Sequence, residues 1–505
     1  MKKIIFIITV SALLLHYISC GKKQKEPEPR PEAEEALQLS EKVEAEVELP
    51  RTQWKRSLAI RSALPSEGPE TDPFHSIFTQ SLYDRIAENT PLKTTVLPPS
   101  SVQKEEDYVL FTQVQKEQGV VTADVSVKDL RNDSTLFKKN YTSKPDSFFT
   151  LVEHIAAELP AEIVSQDSVS KSTRSQNLSE ELMDEYGKAV SLYLENTHEN
   201  TDEAVKIFKN IIKQDSSFVP AYTGLARCYL QIVYEGWDRN LVWLRLAQET
   251  ARKALQKGES AELHVIQGKV YLKFGDYKLA EEHFRKAVKT NPNLAEAWAG
   301  LGNVYNFYGL YNPSIQSFSN ALDLYPLDIE SRVSLSMLQT GLRKYEESYQ
   351  TIKKGLEQYP EKLFFHSFLG LIRLYQNDLE QAEKEISIGL NSDQYTIFSH
   401  AVSAMIQARK GNQDQALAEV ELEVKPYVNN NASLATAVAA VYALLNRNGL
   451  AVQWIQKAHE YGFKEYIWLA NDPHYDNLRD DQRFIAILDT IKTEWKRNLA
   501  NYRSL

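Results

Sequence analysis

Cysteine is scarce: Cys20 and Cys228 are the only two in 505 residues, and their separation suggests no disulfide framework. Positive charge is not in excess either. With 58 Lys and Arg against 68 Asp and Glu, the net charge is −10, so no basic field exists to attract a nucleic-acid backbone or an anionic membrane surface. No Walker, Rossmann, HExxH or GxSxG pattern is present, and no enzymatic activity, cofactor or metal is expected. Ser168-Val169-Ser170-Lys171 has the Ser-x-x-Lys spacing of a nucleophile, but it lies in a Ser-rich, apolar-poor stretch that offers no preorganised pocket. The apolar run Ile4–Leu15 is shorter than the about 20 residues a membrane-spanning helix needs.

That run follows Lys2 and Lys3 and ends at Ser19-Cys20-Gly21, which reads as a cleaved export signal. The ending resembles the bacterial lipoprotein signal, in which Cys20 becomes the lipidated first residue of the mature chain; Tyr17 departs from the Leu that family prefers. The resemblance implies a signal peptide over 1–19 and a membrane anchor through lipid on Cys20. The outer membrane is favoured over the periplasmic face of the inner membrane, since Gly21 offers no acidic retention residue. Residues 20–52, rich in Glu, Lys and Pro and without aromatics, are expected to form a disordered acidic tether.

Residues 53–164 read as a small α+β domain. Strands are expected at Ser57–Arg61, Lys93–Leu97, Tyr108–Val114, Val120–Val127 and Ser134–Tyr141, with a helix over Phe74–Ala87. Phe148, Leu151, Val152, Ile155 and Leu159 fall on one helical face, with Asp146 as N-cap. The run from Asp107 to Tyr141 and the helix after it resemble the TolB amino-terminal domain, which implies no catalytic residues. Residues 165–178 form a linker.

The rest is organised by a repeat. Gly268, Tyr271, Gly275, Tyr277, Ala280, Phe284, Ala287 and Pro292 recur 34 positions on as Gly302, Tyr305, Gly309, Tyr311, Ser314, Phe318, Ala321 and Pro326. That period marks helix pairs stacked into a solenoid. These residues, with Trp298 and Leu301, resemble the tetratricopeptide (TPR) repeat, and extending the register gives about eight repeats over 179–465. Two irregularities interrupt it: about nine extra residues, YEGWDRNLV, after the helix of Tyr229, and a one-residue slip before Tyr442. His264, His366 and His400 hold the slot of Trp298 and are read as packing residues, and Cys228 as a small buried one. Residues 466–505 are expected to cap the array, with Asp472, Asp476 and Arg479 in structural contacts; Asp472-Pro473-His474-Tyr475-Asp476 resembles the ending of TolB-like TPR proteins. The fold class is thus mainly α, a TPR α-solenoid preceded by a small α+β domain.

TPR arrays use the concave face of their first helices, and the resemblance puts Arg227, Lys269, Asn303, Asn306 and Phe307 there, then Met337, Leu371, Leu374, Tyr375 and Met405. The groove is expected to be polar, then apolar. Asn amides suit an extended peptide backbone and Met adapts to varied side chains. Ala299 stands where a carboxylate clamp needs Lys. The expected function is a non-enzymatic, membrane-anchored interaction scaffold for proteins or extended peptides. The alternatives are a sensory module serving a separate signalling chain, or a surface lipoprotein that captures glycans or nutrients.

Overall fold

The computed structural model describes residues 30–45, 47–50, 56–62, 78, 81–83, 85–87, 90, 92–97, 106–117, 120–144, 147–164 and 179–503. The expected signal peptide, Cys20, Asp146 and the linker 165–178 lie outside these residues. The chain divides into two compact units, a first built from 40–335 with 495–505 and a second from 1–39 with 336–494.

One expectation is corrected at the first of the described residues. Within the supposed tether, α1 (Pro31–Glu44) is helical, and Ala33, Ala36, Ser40 and Val43 are buried. Their spacing of three and four residues makes a stripe along one side. Composition misleads here, because a few small residues at helical spacing suffice to dock an otherwise charged helix.

The first unit opens with five strands, β1 (Ser57–Ser62), β2 (Lys93–Leu97), β3 (Tyr108–Glu117), β4 (Val120–Asp129) and β5 (Ser134–Ser143). Their order is β2-β1-β3-β4-β5. The last three make the antiparallel meander that alternation implies, whereas β1 pairs in parallel with both β2 and β3. Val121, Ala123, Val125 and Val127 all point to the buried side of β4, as period two requires. α2 (Phe148–Glu158) and helical residues around Leu82 cover that side, so that Ile60, Leu110 and Val125 share a core with Leu82, Ile86 and Ile155.

That core continues into the helix pairs. The pairs are α3 (Glu180–Leu194) with α4 (His198–Gln214), α5 (Val219–Tyr234) with α6 (Val242–Leu255), α7 (Ala261–Phe274) with α8 (Tyr277–Thr290), and α9 (Ala295–Tyr308) with α10 (Tyr311–Leu324), before α11 (Ile329–Gly341) begins. Small residues let each pair close: a Cβ on Gly268 would lie 2.7 Å from the Phe284 ring, and one on Gly302 2.9 Å from Phe318. The extra residues between α5 and α6 form a loop pinned by a Trp243 Nε1 bond to Asp238 at 2.8 Å and by Trp237 stacked on His198.

Asn293 ties the sheet to this array. It is 1% exposed, and it sits in the turn between α8 and α9. Its Nδ2 donates to the carbonyls of Ala87 and Leu92, both at 3.1 Å, and its Oδ1 accepts from the Thr94 amide at 3.0 Å. Its own carbonyl accepts from the Tyr83 hydroxyl at 3.1 Å. At the turn after α9, Ser40 donates to the Gly309 carbonyl and Glu44 accepts from Asn312 Nδ2 at 2.7 Å. Tyr502 donates to Glu281 at 3.2 Å.

The second unit continues with α12 (Tyr345–Gln358), α13 (Phe364–Tyr375), α14 (Leu379–Gly389), α15 (Thr396–Lys410), α16 (Gln413–Glu419), α17 (Ala432–Leu444), α18 (Asn448–Glu460) and α19 (Tyr466–Asn471), and it holds the first part of α20 (Gln482–Arg503). α16 runs into a π-helical turn at Val420–Val424. Such a turn carries one extra residue, which accounts for the one-residue slip of the register. A 3-10 turn over Pro473–Leu478 lies against the last pair: Tyr475 donates to the Thr436 carbonyl at 2.8 Å and Asn477 to that of Ala443 at 2.7 Å. Arg479 braces the turn through the carbonyls of Leu469 and Asp472. No helix among the described residues is long and apolar enough to cross a membrane.

Candidate functional site

In the first unit, three successive first helices contribute to one polar cluster. Arg227 of α5 reaches Glu296 of α9 at 3.5 Å, and Lys269 of α7 reaches the same carboxylate at 3.3 Å. Contact among the three puts these positions on a common surface. The Lys269 ammonium, with Arg227 adding to it, holds the Glu296 carboxyl down at about 2, although that side chain is 41% exposed. Asn303 is exposed and donates to the Ala299 carbonyl of its own helix at 3.1 Å. Asn306 is half-buried, and Phe307 lies flat against Tyr277 with centroids 3.3 Å apart. The face therefore offers paired charges, an exposed amide and an aromatic edge.

Glu296 is the member that sequence reasoning missed. Its signal was present, since Glu262, Glu296 and Glu330 recur at the repeat interval. What was not readable is that one of them would sit between two cations.

The second unit differs at the same slots. Leu371, Leu374 and Met405 are 3%, 2% and 4% exposed, and Met337 and Tyr375 are half-buried. Of the residues expected to line an apolar groove, Met405 is therefore buried, while Met337 and Tyr375 keep part of their surface. Around Gly341 and Tyr375 the chain supplies its own contacts. A Cβ on Gly341 would lie 2.6 Å from the Trp468 ring, and Asn471 Nδ2 donates to the Gly341 carbonyl at 3.3 Å. Tyr375 donates to Asp472 at 3.0 Å and packs on the His474 and Trp468 rings. Burial pushes the Tyr375 phenol well up, with the Asp472 carboxylate adding to it. Burial opposes ionisation of Asp472 as well, yet His474 and Tyr375 hold its carboxyl below the usual range. Asp472 and Arg479 serve packing in this arrangement.

The remaining candidates are structural in their contacts. His264 bonds His283 Nδ1 at 2.9 Å and Glu259 at 2.6 Å, and His366 bonds Glu385 at 2.6 Å. Burial, with His264 adding to it, lowers His283 to about 4. No group of three or more metal-ligating side chains occurs among the described residues. Cys228 is fully buried, and burial pushes its thiol up to about 12, which removes the thiolate that reactivity needs.

Residues 261–294, the α7–α8 pair, match the family model of the tetratricopeptide repeat. No curated protein matches the chain. Among solved structures, it is similar to the APC/C hetero-tetramer Cut9–Hcn1 at 15% identity, TM-score 0.41, covering 69% of this chain and 60% of that one. It thus spans less than two thirds of that chain. It is also similar to YrrB, described as a TPR protein with an unusual peptide-binding site, at 19% identity and TM-score 0.29, covering 38% of this chain and 95% of that one. A third similarity is to TTC0263, a thermophilic TPR protein of Thermus thermophilus, at 20% identity and TM-score 0.32, covering 39% and 99% of the two chains.

Proposed function

We propose that this protein is a non-enzymatic, lipid-anchored envelope scaffold that holds a protein segment on the first-helix face running from Arg227 to Phe307. The observation that carries the reading is the Arg227–Glu296–Lys269 cluster, which gathers three first helices onto one accessible polar surface. An extended segment laid there would meet Asn303 and Asn306, whose amides can pair with peptide groups. Tyr375 is already engaged by the chain's own Asp472, and Trp468 rests on Gly341 beside it. Residues 53–164 are read as a TolB-like domain, supported by their five-stranded sheet and covering helix.

Reversing both cations, in Arg227→Glu with Lys269→Glu, should abolish capture of the partner by the full chain in cross-linked membranes. Equal recovery of that partner by the double variant would overturn the assignment of the face. The anchor is tested separately, by metabolic labelling with a palmitate analogue in wild type and Cys20→Ala. Label and membrane association that survive the substitution would refute the lipid attachment.

A further inference from the structure

We propose that the first-helix face of the first unit takes a protein segment with a basic side chain, an arginine or a lysine, and seats that cation against Glu330 at the α11 end of the face. The inference rests on the scaffold reading above and names the chemistry of the partner. Glu330 stands in α11 at the slot that Glu296 fills in α9. Glu296 is held by Arg227 and Lys269. Glu330 is exposed and takes part in no ion pair among the described residues.

Two rings flank this end of the face. Tyr234 of α5 is 40% exposed, and Tyr325, just before α11, is 44% exposed. Burial pushes both phenols up, and carboxylates add to it: Glu330 for Tyr234 and Asp328 for Tyr325. Each ring thus lies in the field of a carboxylate, which suits a cation on its face. One ammonium is already placed in this way, since Lys273 Nζ lies 4.2 Å from the Tyr234 centroid. Lys273 also feels Glu330 but does not pair with it.

The charge around Glu330 is one-sided. Surrounding protein strips enough water from it to raise its carboxyl, and Asp328 adds to this, as do Glu235 and Glu296 against the opposing field of Lys269. A cation laid beside Glu330 would relieve that repulsion. An acidic side chain there would be rejected, so the complementarity selects a basic partner over an acidic one.

The probe is a phage-displayed library of random dodecapeptides selected on the immobilised full chain. Enriched peptides should share an Arg or Lys, and selection on Glu330→Lys should replace it with Asp or Glu. For one enriched peptide, Glu330→Gln should weaken binding at least about fivefold, because a charge-assisted hydrogen bond is lost. Ala in place of the peptide's basic residue should do the same, and the two changes together should weaken binding no more than either alone.

Enriched peptides that share no basic residue, or losses that add in full, would overturn the cation seat. The face itself would still stand if those peptides fail to bind Arg227→Glu with Lys269→Glu. Peptides that bind that double variant as well as the parent would refute the face, and a selection that enriches no peptide would overturn both readings.

Discussion

The slot that carries Lys269 and Asn303 in the first unit carries Leu371 and Met405 in the second. In one the side chains meet solvent and a charge partner on the next helix; in the other they are buried. The adjacent slot shows the same contrast, with Phe307 in the first unit and Gly341 and Tyr375 in the second. Gly341 leaves room that Trp468 fills, and Tyr375 bonds Asp472. A repeat register thus names a face without saying whether that face is a binding surface. The outcome depends on whether the chain supplies its own ligand for it.

The comparison breaks most visibly if the segment after α18 is loosened. Leu469→Ala should cost the second unit about 3 kcal/mol, because Leu469 is fully buried and large-to-small changes in a core cost about 2–5 kcal/mol; urea unfolding reads this. A loss below about 1 kcal/mol would mean that the segment lies on the slot without being part of a core. For the first unit the counterpart is Asn293→Ala. It strands two carbonyls and an amide and should cost about 2–3 kcal/mol, with no change in the partner face. Gly341→Ala is smaller: its Cβ meets Trp468, and overpacking of this kind costs about 1–2 kcal/mol.

Least of all should be felt at the open cluster. Arg227→Ala should change stability by less than about 0.5 kcal/mol, since exposed ion pairs contribute little, while partner capture drops. The pH dependence has a definite sign. Glu296 titrates at about 2 in place of 4.5, so its pairing adds stability that is present above pH 4.5 and lost as pH falls toward 2. Side-chain NMR of Glu296 from pH 6 to 2 checks this, and titration at 4.5 would remove the cluster from the account.

Much of the fold was legible because it is periodic. The interval between Gly268 and Gly302, and between Phe284 and Phe318, specifies a helix pair whatever surrounds it, and alternation in Val121 to Val127 specifies a strand. Non-local pairings were not legible. Nothing in Ser57–Ser62 says that it lies parallel between β2 and β3, and nothing in Trp468 says that it rests on Gly341. α1 was missed for a related reason, since Ala33, Ala36, Ser40 and Val43 become a stripe only once a surface exists to receive them. At the site, Arg227, Lys269 and Asn303 could be read from register, whereas the role of Glu296 depends on Arg227 and Lys269, neighbours distant in sequence.

Which of the two equivalent faces takes a partner is decided by site-specific photo-crosslinking in cells that express the full chain. With benzoylphenylalanine placed in turn at Asn303 and at Tyr375, adducts should form from Asn303, disappear when Arg227→Glu and Lys269→Glu are added, and be absent from Tyr375. Adducts from Tyr375 with none from Asn303 would contradict the assignment of the face.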